Sequence, residues 1–251
     1  MGDALFCYVL RLADDHLILG HRLSEWCGHA PMLEEDLALP NIALDLIGQA
    51  RALYTHAGVI EGRGRDEDQL AYLRREDEYR NLLLLELENG DFARTMLRLY
   101  LFAAFMELFW ERMLASKDET LAAIAAKAIK ETRYHVRHSA EWVIRLGDGT
   151  PQSARRLQAA LEELKPYCAE LFHSDAIDRE VASAGAGVDP AALRQDWEAE
   201  IAAVFRESLL EEKGIGDGHQ TGGRLGRHTE AMGFLLAELQ YMQRTYPGMQ
   251  W

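Results

Sequence analysis

The stretch Lys127 to Trp142, KAIKETRYHVRHSAEW, constrains the fold more than any other, because it carries three ionisable groups where a helix should be most apolar. Stepping by alternating threes and fours picks out Leu121, Ile124, Ala128, Glu131, His135, His138 and Trp142. Those intervals mark one face of an α-helix, apolar at both ends and Glu, His, His in the middle. A carboxylate and two imidazoles buried without partners would cost several kcal/mol, so neighbouring helices must supply hydrogen bonds, counter-charges or a metal ion. The same spacing recurs from Asp3 to about Cys27, where Leu5, Val9, Leu12, His16, Leu19, Leu23 and Trp26 form a seam with His16 at its centre.

The remaining chain also reads as helices. Asp36 is placed to cap a second helix running to about Ala57, with Pro40 near its first turn. One face of that helix holds Asn41, Asp45, Gly48 and Ala52, with Gln49 beside them. A mid-helix Gly costs about 1 kcal/mol relative to Ala, which suggests that a neighbouring helix comes close at Gly48. Residues 69–88 mix a short helix with an irregular apolar stretch. Long helices are predicted over Phe92 to Met113, mostly enclosed, and over Lys117 to Leu146. Further helices are predicted over Pro151 to Phe172, Asp175 to Ala182, Pro190 to Leu210 behind an Asp189 cap, and Thr229 to Thr245. Gly214 to Gly226 contains six glycines and reads as a loop. No strand alternation or internal repeat emerges. The expectation is one all-α domain over residues 1–251, a four-helix bundle with peripheral and C-terminal helices outside it.

Composition narrows the function. With 27 basic against 41 acidic residues the formal charge is −14, which disfavours nucleic acid and anionic membrane surfaces as partners. Cys7, Cys27 and Cys168 are odd in number and widely spaced, unlike a disulfide framework or a zinc site, and point to a reducing cytoplasm. The chain opens without a signal-peptide pattern and has no span-length apolar run, so it reads as soluble and not exported.

A bundle with carboxylates and histidines on inner seams is the setting of carboxylate-bridged di-iron centres, which need inward Glu from two helices and Glu-x-x-His from two more. Here the second helix offers Asp45-Leu-Ile-Gly48, and the fourth offers Glu131-Thr-Arg-Tyr134 with His135 one step late. The third helix has Ala103 and Met106 on its seam, and the only literal Glu-x-x-His, Glu170 to His173, lies at the end of a later helix. Two carboxylates do not balance two iron ions, so the spacing argues against a di-iron centre in this chain. Two readings of His16, Asp45, Gln49, Glu131, His135 and His138 remain open. In the first they form a buried polar network in which Asp45 or Glu131 accepts from imidazole nitrogens. In the second His16, Asp45, Glu131, His135 and His138 hold a single metal ion of an enzyme. A third candidate is the loop Thr221 to Thr229, TGGRLGRHT, which with Arg224 and Arg227 resembles a phosphate-cradling loop. It follows no strand and lacks P-loop spacing, so it reads as a surface connection dispensable for folding.

The stretch RLSEWCGHAPMLEEDLALPNIALDLIGQARALY, from Arg22 to Tyr54, closely resembles the PaaC-type C subunits of ring-1,2-phenylacetyl-CoA epoxidases of aerobic phenylacetate catabolism. The likeness continues through NLLLLELENGDFARTMLRLY, AAIAAKAIKETRYHVRHSAEWVIRLGDGT and WEAEI to TGGRLGRHTEAMGFLLAELQYMQRTYPGMQW, spanning the chain. The resemblance implies a ferritin-like fold and a non-catalytic subunit without a cofactor of its own. It implies a di-iron centre in a partner, the catalytic A-type subunit, which epoxidises the aromatic ring with O₂ and electrons from an NADPH-dependent reductase subunit. In isolation such a chain could form a homodimer, and an alternative reading beside this resemblance is a CoA-ester binding module relying on Arg224 and Arg227.

Overall fold

A computed structural model of the chain describes residues 2–212 and 214–249. The elements, in order, are α1 (Gly2–Ser24), α2 (Leu33–Glu61), α3 (Glu67–Tyr72), α4 (Leu83–Glu86), α5 (Phe92–Met113), α6 (Glu119–Gly147), α7 (Pro151–Cys168), α8 (Ala176–Ser183), α9 (Arg194–Glu207), α10 (Glu230–Leu239) and α11 (Tyr241–Thr245). Five short 3₁₀ turns accompany them, and no strand occurs among the described residues, so the fold class is all-α as the periodicity indicates. Among those residues no helix is long and apolar enough to cross a membrane. The chain divides into two compact units, residues 1–88 with 221–251, and residues 89–220.

In the first unit α1 and α2 pack antiparallel: Asp14 of α1 accepts a hydrogen bond from the Tyr54 hydroxyl at 2.5 Å, while Gly20 lies against Ala43 and Ile47. The packing at Gly20 is close, because a Cβ there would sit 2.9 Å from Ile47 Cγ1 and 3.3 Å from the Ala43 carbonyl oxygen. The expected approach at Gly48 is not found, since a Cβ at that position would meet nothing within 4 Å. Every residue of α1 from Tyr8 to Gly20 is buried, so this helix is enclosed all round where the sequence suggested a single apolar seam.

Two boundaries of α2 differ from expectation. The helix starts at Leu33, which places Asp36 in its first turn, where the carboxylate accepts from the Gly28 amide at 2.7 Å and holds the preceding turn. Pro40 accordingly lies inside the helix and removes one backbone hydrogen bond. The irregular stretch resolves into α3, capped reciprocally by Asp66 and Gln69, a 3₁₀ turn and the single-turn α4. Leu82, Leu83, Leu84 and Leu85 are all buried. The C-terminal helix is broken at Gln240 into α10 and α11, and the Thr229 side chain makes no cap hydrogen bond.

The second unit is built on α5 and α6, again antiparallel: Phe92 meets Trp142 edge to face at 5.0 Å, and Arg133 reaches Glu107 and Glu111 at 3.3 and 3.1 Å. Asp91 and Asp118 cap the two helices by accepting from the Arg94 and Leu121 amides. Most of α5 is buried, as its apolar circumference requires. Trp197 of α9 fixes that helix to α5 by donating its indole N–H to the Leu101 carbonyl at 3.0 Å. The stretch behind Asp189 begins as a 3₁₀ turn over Pro190–Leu193 before α9.

At the end of α6, Gly147 is pressed against the turn that follows α9, so that a Cβ there would fall 1.9 Å from the Ser208 carbonyl oxygen. Backbone, not a movable side chain, occupies that space. Gly147→Ala should therefore destabilise the protein by about 1–3 kcal/mol, the usual range for overpacking, read as a lowered midpoint in thermal or urea unfolding.

Candidate functional site

The six residues of the polar seam are distributed over both units. In the first, His16 of α1 is fully buried with Nδ1 2.7 Å from the Leu12 carbonyl oxygen one turn earlier, which orients the ring. On α2, Gln49 is buried and Asp45 half-buried. In the second unit Glu131, His135 and His138 share a face of α6. Glu131 pairs with Lys127 at 3.5 Å, an i,i+4 contact. His135 is buried beside the ring of Tyr134, and the half-buried His138 stacks on Tyr134 with centroids 5.7 Å apart. The Arg137 guanidinium lies 5.7 Å from the centre of the Tyr134 ring.

These donors do not fit a di-iron centre. On α2 the Asp45–Gly48 face is turned away from the buried side that carries Ile42, Leu46, Gln49 and Leu53, with nothing within 4 Å of a Cβ at Gly48, so it is not the inner seam the spacing suggested, and the seam of α5 presents the buried apolar side chains of Ala103 and Met106. The literal Glu170/His173 pair does not converge, as Glu170 is buried and His173 exposed. Among the described residues no three His, Cys, Asp or Glu side chains are grouped so as to hold a metal ion. The three cysteines form no disulfide, and burial pushes the Cys168 thiol up to about 12, which leaves it unreactive.

The most extensive polar cluster lies elsewhere in the first unit, on residues that the helical seams do not single out. Asp14 and Asp15 project from the enclosed middle of α1. Asp14 is paired with Arg74 and accepts from the Arg80 amide at 2.8 Å as well as from Tyr54. The Arg74 guanidinium in turn covers the Tyr79 ring at 4.1 Å. Asp15 accepts from the Leu82 amide at 2.8 Å and from both terminal nitrogens of Arg224 at 2.8 and 3.1 Å. Glu86, buried on α4, accepts from Asn81 at 2.8 Å and from the Thr229 amide, and is bonded to His228 Nδ1 at 2.7 Å. Arg22 donates to the Glu86 carbonyl at 2.8 and 2.9 Å and to that of Ala231 at 3.0 Å. The adjacent pair Asp14 and Asp15 inside an apolar helix was the signal in the sequence, but its partners lie far along the chain.

This cluster corrects the reading of the Thr221 to Thr229 loop as a dispensable connection. Arg224 also donates to the Arg80 carbonyl at 2.7 Å, so its guanidinium is committed to the fold and is poorly placed to hold a ligand phosphate. Gly223 rests on the backbone of Asn81, where a Cβ would be 2.0 Å from the carbonyl oxygen. Only Arg227 of the two arginines is exposed. Burial raises the Asp15 carboxyl to about 6 against the opposing pull of Arg224. Burial also works against a charge on His228, yet the hydrogen bond and charge of Glu86 hold its pKa above the usual value, while burial alone lowers His21 to about 4.

A family model of Phenylacetic acid catabolic proteins matches residues 2–251. The C-type subunit of the 1,2-phenylacetyl-CoA epoxidase of Escherichia coli (strain K12) is 49% identical over 249 residues, covering 99% of this chain and 100% of that protein.

The pH response of the Asp15–Arg224 pair has a definite sign. The folded carboxyl binds its proton more tightly than the unfolded one, so its contribution to stability is present in full below about 4 and is lost as the pH rises through about 6. Arg224 limits that loss. Arg224→Ala should therefore cost little near pH 5, where Asp15 is protonated in both proteins, and about 3 kcal/mol near pH 8, where a buried carboxylate is left without its counter-charge. Urea unfolding of both proteins across that range checks it; an equal loss at both ends would show that packing, not charge, is what Arg224 supplies.

Proposed function

Since the chain belongs to the Phenylacetic acid catabolic protein family, we propose that it is a non-catalytic, structural subunit of a phenylacetyl-CoA epoxidase complex that stabilises and orients the di-iron catalytic subunit. The observation that carries this reading is the donor set. Ala103 and Met106 occupy the seam of α5 where a carboxylate-bridged site requires a carboxylate, and Asp45 and Gly48 lie on the side of α2 away from its buried residues. What the chain retains is a set of well-packed helices braced by buried ion pairs, and such a protein acts by contact with a partner. The relative's role as an epoxidase subunit supports the same assignment. Partners on this reading are the catalytic A-type subunit and, within the complex, the NADPH-dependent reductase. The CoA-ester reading loses one of its two arginines to Asp15.

Reconstitution tests the proposal. The purified chain should contain far less than one iron per molecule by elemental analysis and should not turn over phenylacetyl-CoA, with or without ferrous iron and reductase. Mixed with the catalytic subunit it should co-elute as one complex, and its omission should reduce or abolish turnover. Stoichiometric iron with activity in the chain alone, or a catalytic subunit equally stable and active without it, would overturn the reading.

A further inference from the structure

The side chains of His228 and Glu86 are both closed off from solvent where the loop before α10 meets α4. Both nitrogens of the His228 ring face acceptors: Nδ1 lies 2.7 Å from a carboxylate oxygen of Glu86, and Nε2 lies 3.2 Å from the Tyr79 carbonyl oxygen. Glu86 in turn accepts from the Asn81 side chain on the same oxygen and from the Thr229 amide on the other. An ionised carboxylate and a backbone carbonyl can only accept, and a neutral imidazole has one N–H and one lone pair. Either neutral tautomer would therefore turn a lone pair onto one of the two oxygens inside a closed site, where such a mismatch is costly. Only the imidazolium donates on both sides.

The charges around the ring are mixed. Burial opposes a charge on His228, but the hydrogen bond and charge of Glu86, the Tyr79 carbonyl and the more distant charge of Glu76 outweigh it and hold its pKa above the usual value. Arg80 faces the ring from the other direction, since it donates to the same Tyr79 carbonyl at 2.7 Å. The Tyr79 hydroxyl is engaged by Ala71 and Gln240. From α1, Arg22 binds the carbonyls of Glu86 and Ala231, while Asp15 neutralises Arg224 of the loop itself. The flanking charges on the same segment, Arg227 and Glu230, are exposed.

We propose that His228 is a pH-sensitive latch: its imidazolium fastens the loop before α10 and the start of that helix to α4, and loss of the ring proton as the pH rises loosens the segment. The folded ring binds its proton more tightly than the unfolded one, so the contribution of the latch is full below about 6.5 and is lost as the pH rises through the higher folded value. Asp15, which holds the same loop through Arg224, titrates lower, at about 6. The bonds from Arg22 to Ala231 and from Gln240 to Arg74 carry no proton that titrates near neutrality, so the segment loosens locally while the unit stays folded. The latch is independent of the subunit role proposed above.

Nuclear magnetic resonance of the labelled full-length protein, with the His228 ring assigned through its own backbone amide, should show both ring nitrogens protonated at pH 6.5 and a midpoint above that pH. Glu86→Gln should lower this midpoint by about one pH unit or more. Hydrogen–deuterium exchange, corrected for the intrinsic effect of pH, should show protection over residues 221–239 falling by up to about tenfold per pH unit between 6.5 and the folded midpoint, with no such step in α5. His228→Gln should abolish the step. A ring that is neutral at pH 6.5, protection of the segment that does not change with pH, or the same step in His228→Gln would overturn the proposal.

Discussion

Burial of Asp14 and Asp15 in the enclosed middle of α1 is the constraint on which the first unit depends. Two adjacent carboxylates removed from water require several donors each, and a helix cannot provide them because its own amides are already engaged. The donors come from the segment between α3 and α4 and from the loop before α10. Asp14 takes the Arg80 amide and Asp15 the Leu82 amide, so alternate residues of an irregular segment are fixed to one helix. Arg74 and Arg224 supply the counter-charges. This accounts for an irregular segment that is buried instead of looping over the surface: the backbone groups that a regular element would pair internally are paired here to side chains of α1.

The C-terminal segment is held by the same logic. Arg22 and Glu86 bind the backbone on either side of the start of α10, and Gln240 donates to the Arg74 carbonyl at 2.8 Å. A glycine-rich loop in this setting is a close-packing device. Gly223 and Gly226 lie where side chains would strike the backbone of Asn81 and Asp77, and Gly226 has a φ of 71° that disfavours other residues. The buried polar residues of this unit thus serve tertiary assembly. That is a different use of charge from the converging carboxylates of a metal centre.

Much of the helical framework was readable from local pattern. The bounds of α5, the Asp189 cap and the all-α class follow from periodicity and capping, which are set by residues within a turn or two of one another. Asp36 misled because the same side chain can cap a helix or, as here, accept from the preceding turn across its first residues. Gly48 misled because a mid-helix glycine does not by itself require a close neighbour, and here nothing comes within 4 Å of a Cβ at that position. The close approach within the chain is at Gly20 instead.

The sequence by itself determined which side chains could ever be ligands, because residue type and helical phase fix what projects from positions such as Ala103 and Met106. Only the tertiary structure decided which buried charges meet. Asp14 and Arg74 are 60 residues apart and Asp15 and Arg224 are 209 apart. No local periodicity links such positions. Their pairing is selected by the cost of leaving any one of them buried alone, and that cost exists only once the helices have closed around them.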